Sequence, residues 1–246
     1  MASPLAQFEI KKIFSLEFSG YDISFTNSSL TMILTVFLIS FFLFLGLKKT
    51  SIIPNKFQTL VELSYDFIGS MINDNIGKEG LKYYPFIFSI FFFILIGNLI
   101  GMLPFSFTWT SHIIVTFAIS FFIFLMVTFL AIYKHGLLKF LAFFAPSGVP
   151  KPMLILLIPI EIISYISRPI SLSVRLFANM MAGHTLLKVI GGFVFVLAAN
   201  SYIVGGILPI AFLVALTGLE IVIAFLQAYV FAILTCLYIN DAIHLH

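Results

Sequence analysis

Hydrophobic residues fill this chain in long blocks, and the polar residues that interrupt them are few enough to name. The first block, residues 30–47, is uncharged and ends at Lys48 and Lys49. Its length approaches the roughly 20 residues a helix needs to cross a bilayer, and lysines at such an end can hold it at headgroup level. Ahead of it lies a polar lead-in, residues 1–29, where Gly20 supplies a turn and the Asn27-Ser28-Ser29 cluster supplies N-cap chemistry. Residues 54–73 follow another rule. Apolar Phe57, Leu60, Val61, Ile68, Met71 and Ile72 recur at helical spacing, while Gln58, Glu62, Asp66 and Asn73 take other positions. This predicts an amphipathic helix lying on the membrane or packed on the other spans.

The run from Asn75 to Gly80 predicts a loop. Residues 83–103 make a second span stopped by Pro104, and residues 111–133 a third, stopped by Lys134, His135 and Gly136. Together, over 83–133, they form a helical hairpin. Within it Asn98 is expected to make an interhelical hydrogen bond, Gly97 and Gly101 to let a neighbouring helix approach, and His112 to sit at the interface. Pro146, Gly148, Pro150 and Pro152 mark an irregular connection. Beyond it, residues 153–240 form two long apolar regions that meet near Ser201-Tyr202. The first would be about 70 Å long as one helix, more than twice the ~30 Å hydrocarbon core. It must tilt, bend or break, and Pro159 and Pro169 are the places for a bend.

Composition agrees with the pattern. The 246 residues are 61% hydrophobic and 9% charged, with mean hydropathy +1.15, whereas soluble domains carry about 25% charged residues. The fold expected is an all-α polytopic membrane protein, a single membrane domain over 1–246. It has about five membrane-embedded helices plus one interfacial amphipathic helix, the last two spans long and strongly tilted. Lys48, Lys49, Lys56, Lys78 and Lys82 lie between the first two spans, Lys134, Lys139 and Lys151 after the third, and none between the second and third. The positive-inside rule then puts the lysine-bearing segments on the cytoplasmic or matrix side and the N-terminus on the periplasmic or intermembrane side. A formal charge of +3 without a basic cluster argues against nucleic acid. Cys236, the only cysteine, permits no intrachain disulfide. No nucleotide loop of the form GxxxxGK[ST], zinc spacing or signal-peptide pattern is evident, and no cofactor is expected.

The chemistry concentrates in residues 169–188, PISLSVRLFANMMAGHTLLK, where Arg175, Asn179, His184 and Lys188 interrupt a membrane-like run. Charges far from span ends normally face protein or a water-filled cavity, often an ion path. A guanidinium stays protonated, so Arg175 can attract a carboxylate or block a cation but cannot relay protons. Glu161, Arg168 and Arg175 fall at intervals of seven, and Glu220, Gln227 and Asp241 fall on the same ladder with Leu234 as its apolar rung. Each set can share one helix stripe. Two such stripes suit an ion or proton path, while interhelical glue is the bland alternative. Spacing alone suits a proton-coupled secondary transporter equally well, although the paired repeats and interrupted helices frequent in transporters are not seen.

Motifs narrow this. The stretch SLSVRLFANMMAGH, residues 171–184, resembles the signature of subunit a of F-type ATP synthases. The similarity extends through PNKFQTLVE, GNLIGMLPFSFTWTSH, EIISYISRPISLSVRL, GLEIVIAFLQAYVF and YINDAIHLH, in that order. The resemblance implies a non-nucleotide-binding stator subunit beside a ring of small rotor subunits with buried carboxyls, joined also to peripheral-stalk subunits. It lies in the bacterial inner or mitochondrial inner membrane. It further implies two offset aqueous half-channels carrying protons, with Arg175 between them favouring the ionised ring carboxylate. By the same resemblance, Gln227 and Asn179 match polar positions beside the arginine, His184 and Glu220 line the inlet, and Glu161 lines the outlet with Asp241. The order of His184 and Glu220 looks like that of mitochondrial and alphaproteobacterial members. Gly101 departs from members that carry an acid there, so no hairpin carboxylate joins the path.

Overall fold

A computed structural model describes residues 8–15, 17–18, 21–22, 24–48, 51–103, 106–144, 151–199 and 203–244. Among these residues, five helices are long and apolar enough to cross a membrane, and the architecture is the expected all-α polytopic one. The first, α1 (Asn27–Leu47), starts three residues before the expected block. Its N-cap is Thr26, whose hydroxyl accepts from the Ser29 N–H at 3.4 Å, and not the Asn27-Ser28-Ser29 cluster. Asn27 ties down the lead-in instead: its amide donates to the Glu9 carbonyl at 3.1 Å and accepts from the Lys11 N–H at 3.2 Å. The lead-in carries short antiparallel pairs, β1 (Lys12–Phe14) with β4 (Phe25–Thr26) and β2 (Glu17–Phe18) with β3 (Tyr21–Asp22). Gly20 and Lys49 lie outside the described residues.

The amphipathic segment is α2 (Lys56–Asn75). It buries Val61, Ile68, Met71 and Ile72 in the common core but leaves Phe57 and Leu60 about half exposed, at 53% and 52%. The predicted apolar face therefore divides between the bundle and the surroundings. The expected loop to Gly80 is half structure: Gly77 turns the chain with φ +82°, and Lys78–Tyr83 forms a 3₁₀ turn. Helix α3 (Tyr84–Gly101) and helix α4 (Ile113–His135) make the hairpin. Pro104, expected to stop α3, lies outside the described residues. Helix α4 runs through Lys134 and His135 and stops at Gly136, whose φ of +81° suits glycine and whose N–H bonds the Ile132 carbonyl. A short α5 (Leu137–Phe143), which the sequence pattern did not suggest, follows it.

The last two helices, α6 (Lys151–Ala199) and α7 (Ile203–Ile243), span 49 and 41 residues. At ~1.5 Å per residue they measure about 74 Å and 62 Å, so in a ~30 Å core they must incline steeply. Pro159 and Pro169 both sit inside α6, and the helix continues through each, so neither breaks it. Pro146, Gly148, Pro150 and Ser201-Tyr202 lie outside the described residues. Helices α6 and α7 run antiparallel along each other, with α4 packed on α6 and α3 on α7; α1 and α2 close the other flank of α3. On α7, Ala224, Ala228, Ala232 and Cys236 recur every fourth residue at 0% exposure, a small-residue stripe that lets neighbouring helices come close.

The hairpin connection folds inward. Asn98 donates to the Ala224 carbonyl on α7 at 3.4 Å, the interhelical bond expected of it. Gly97 and Gly101 do permit a close approach, but the approaching group is the hairpin's own turn and not a neighbouring helix: Trp109 covers Gly97 and Thr108 covers Gly101. Trp109, fully buried, packs its ring on Phe93 at a tilt, centroids 4.7 Å apart, and points its indole N–H at the Thr35 hydroxyl of α1 at 3.4 Å. His112 precedes α4 and is half-buried, its ring stacked on Phe107 at 5.0 Å and burial holding its pKa below the usual histidine range.

Candidate functional site

Two polar contacts mark the ends of one stretch of the α6–α7 seam; beyond the second the helices remain close, with Leu213 beside Gly191. At one end Arg168 Nη1 donates to Asp241 Oδ2 at 2.9 Å, with its guanidinium 5.3 Å from the Tyr165 ring and 5.0 Å from the Tyr238 ring. At the other, His184 Nδ1 lies 3.6 Å from Glu220 Oε1, with both side chains at most 10% exposed. Sixteen residues of helix, about 24 Å, separate Arg168 from His184. Of the ladder residues, Arg168 pairs with Asp241, while Glu220 faces His184, which lies off the ladder.

The His184–Glu220 end is built from close approaches. A Cβ on Gly183 would stand 2.7 Å from Glu220 Oε1, so only glycine leaves the carboxylate its seat. Neither Glu220 oxygen has a hydrogen-bond partner among the described residues. On the far side of the imidazole, Thr108 Oγ1 lies 3.2 Å from His184 Nε2, and the ring of Phe8 meets it edge-on at 6.5 Å. Thr110 Oγ1, His112 Nε2 and Asn98 Oδ1 are likewise buried without a partner among the described residues. Buried polar atoms are normally hydrogen-bonded, often to water. This concentration of orphans around the hairpin turn marks a region suited to hydration. Imidazole and carboxyl groups can take up and release protons there, whereas a guanidinium cannot.

Between the two ends lies Arg175. Its side chain is exposed on the outer surface of α6, and no carboxylate stands within ion-pair distance of it among the described residues. Asn179, one turn further, and Gln227 on α7 are half-buried in the same central stretch. Glu161, near the start of α6, is also half-buried. By helical rise it stands about 21 Å from Arg175, and His184 stands about 14 Å from Arg175 on the other side. Ahead of the structure, nothing singled out Thr108, Phe8 or Gly183. The hydroxyl sits among many in the hairpin motif, the phenylalanine is one of 31, and glycine within a helix reveals its purpose only once its neighbour is known.

Comparison with known proteins agrees with the motifs. The family model described as the ATP synthase A chain matches residues 29–240. The ATP synthase subunit a of Pelagibacter ubique is 57% identical over 245 residues, 99% of this chain and 98% of that protein. Those of Rhodospirillum rubrum and Paramagnetospirillum magneticum are 52% and 51% identical, each over the full length of both chains.

Proposed function

The chain belongs to the ATP synthase A chain family, and from that premise we propose that it is the proton-translocating stator subunit of an F-type ATP synthase membrane sector. Its surroundings are then an energy-coupling membrane, a rotor ring of small subunits with buried carboxyls, and the peripheral stalk. The observation that carries this reading is Arg175: a permanent cation exposed on the surface of α6, with no carboxylate within ion-pair distance among the described residues. A lone charge at such a depth is costly, and a carboxylate presented from outside by a passing ring subunit relieves that cost. Arg175 then draws each ring carboxyl into its ionised form and, being unable to give up its proton, bars direct leakage past itself.

The two proton routes divide along α6. His184 and Glu220, whose two carboxyl oxygens are buried without a hydrogen-bond partner among the described residues, line the inlet. Glu161, with Asp241 near the opposite end of the seam, lines the outlet. Helical rise separates Glu161 from His184 by about 35 Å along α6, with Arg175 between them, and the two routes open at opposite faces. Asn179 and Gln227 supply polar groups on the central stretch where a ring carboxyl exchanges its proton.

The test is ATP-driven acidification of inverted vesicles carrying assembled complexes with Arg175→Ala or Arg175→Gln. Pumping is expected to vanish while soluble ATPase activity survives. Undiminished pumping would overturn the assignment and turn attention to proton-coupled uptake of a substrate.

A further inference from the structure

Thr108 faces two partners at once. Its Oγ1 lies 3.2 Å from the Gly101 carbonyl oxygen, to which it donates, and 3.2 Å from His184 Nε2. A hydroxyl has one hydrogen to give. With that hydrogen committed to Gly101, Thr108 can only accept from the imidazole, and the hydrogen between them belongs to Nε2. The close seat is enforced by Gly101 itself, where a Cβ would fall 2.5 Å from Thr108 Oγ1.

We propose that Thr108 is a positioning residue that holds neutral His184 as the Nε2–H tautomer, so that Nδ1, 3.6 Å from Glu220 Oε1, is the basic nitrogen and the pair shares one exchangeable proton. The proposal rests on the reading of this pair as part of the proton inlet. The transfer balances simply: the imidazolium breaks its Nδ1–H bond, the proton forms an O–H bond on the Glu220 carboxylate, and Nε2–H stays with Thr108 throughout. Without Thr108 the opposite tautomer is favoured, because Nδ1–H would point at the carboxylate. The basic nitrogen would then face away from the acid. The ionisable groups acting on the imidazole among the described residues are Glu220 from α7 and Lys188 on α6 itself. The hairpin turn contributes the hydroxyl, and the lead-in contributes the Phe8 ring.

The assembled membrane sector, labelled with ¹⁵N-histidine in lipid, reads the tautomer directly by solid-state NMR, with His184 identified by the signal lost in His184→Gln. At a pH where His184 is neutral, the wild type is expected to show protonated Nε2 and bare Nδ1. Thr108→Val should shift the tautomer ratio toward Nδ1–H by about fivefold, the worth of one hydrogen bond, and Thr108→Ser should restore the wild-type pattern. Pumping measured across pH should fall and change its profile in Thr108→Val and recover in Thr108→Ser. A wild-type Nδ1–H signal, or an unchanged tautomer in Thr108→Val, overturns the proposal. Should Thr108→Val fail to assemble, the wild-type spectrum alone decides. A tautomer that shifts while pumping keeps its rate and pH profile overturns instead the inlet reading.

Discussion

With only 2.7 Å between Glu220 Oε1 and the place where a Cβ on Gly183 would stand, a single methyl group tests the proposed inlet without altering any titratable residue. Gly183→Ala must push the carboxylate off its seat beside His184, and pumping in assembled complexes is expected to fall severely. Gly192 and Gly218 supply the controls, since a Cβ at either meets no atom within 4 Å. Vesicle acidification in the alanine variants should separate Gly183 from both; equal loss in all three would show that helix composition, not the carboxylate's seat, is at stake. At this scale the sequence made the charged and titratable members of the candidate site legible. Arg175, His184 and Glu220 stand out because ionisable groups are expensive in a span. The supporting residues were hidden because their chemistry is common: a threonine or glycine gains its meaning from a contact across 76 or 37 positions of chain, Thr108 to His184 or Gly183 to Glu220.

Between elements, the clasp of α6 on α7 near Arg168 is a cation held by two rings and one carboxylate. Asp241 is 45% exposed, so the ion pair itself contributes at most about 1 kcal/mol, and each ring about 0.5–1 kcal/mol. Arg168→Ala should therefore lower the stability of the assembled subunit by about 1–3 kcal/mol, visible as a lower thermal midpoint in detergent. Arg168→Lys, which keeps the charge without the planar fork, should lose less. Equal midpoints for wild type and Arg168→Ala would show that the clasp contributes nothing. The seven-residue ladder placed Arg168 and Asp241 on stripes, but not opposite each other, because pairing across a seam depends on the antiparallel register of two helices. The prolines show the same limit. A proline removes one N–H and crowds the carbonyl four residues back, which bends some helices and breaks others. Packing of α6 along its length against α4 and α7 decided for continuity. Conversely, the turn over Gly97 and Gly101 and the short α5 left no periodic signal to read.

The whole molecule has two chemically distinct faces, and contacts gather several helix ends on each. Lys134 pairs with Glu79 at 3.2 Å, and His135 Nε2 lies 3.0 Å from the Ile243 carbonyl. The start of α3 and the ends of α4 and α7 are therefore gathered on one face, together with Lys134 and, beside Glu79 in the 3₁₀ turn, Lys78 and Lys82. The opposite face gathers the lead-in, the hairpin turn and the His184 stretch, through Asn27 with Glu9, Trp109 with Thr35, Thr108 with His184 and Phe8 with His184. Five crossings would put the lead-in and the end of α7 on opposite sides, and the positive-inside rule then predicts the lysine-bearing face to be the cytoplasmic or matrix one. The native chain suits an accessibility test, because Cys236 is fully buried and should stay silent toward a membrane-impermeant maleimide. Ile13→Cys, 44% exposed on β1, and Lys139→Cys, exposed on α5, report the two faces. In inverted vesicles, whose cytoplasmic face points outward, Lys139→Cys should label at once and Ile13→Cys only after permeabilisation. The reverse order would invert the subunit and, with it, exchange the inlet and outlet roles of the His184–Glu220 pair and Glu161. Labelling of both cysteines in sealed vesicles would refute the five-crossing arrangement on which that division of roles depends.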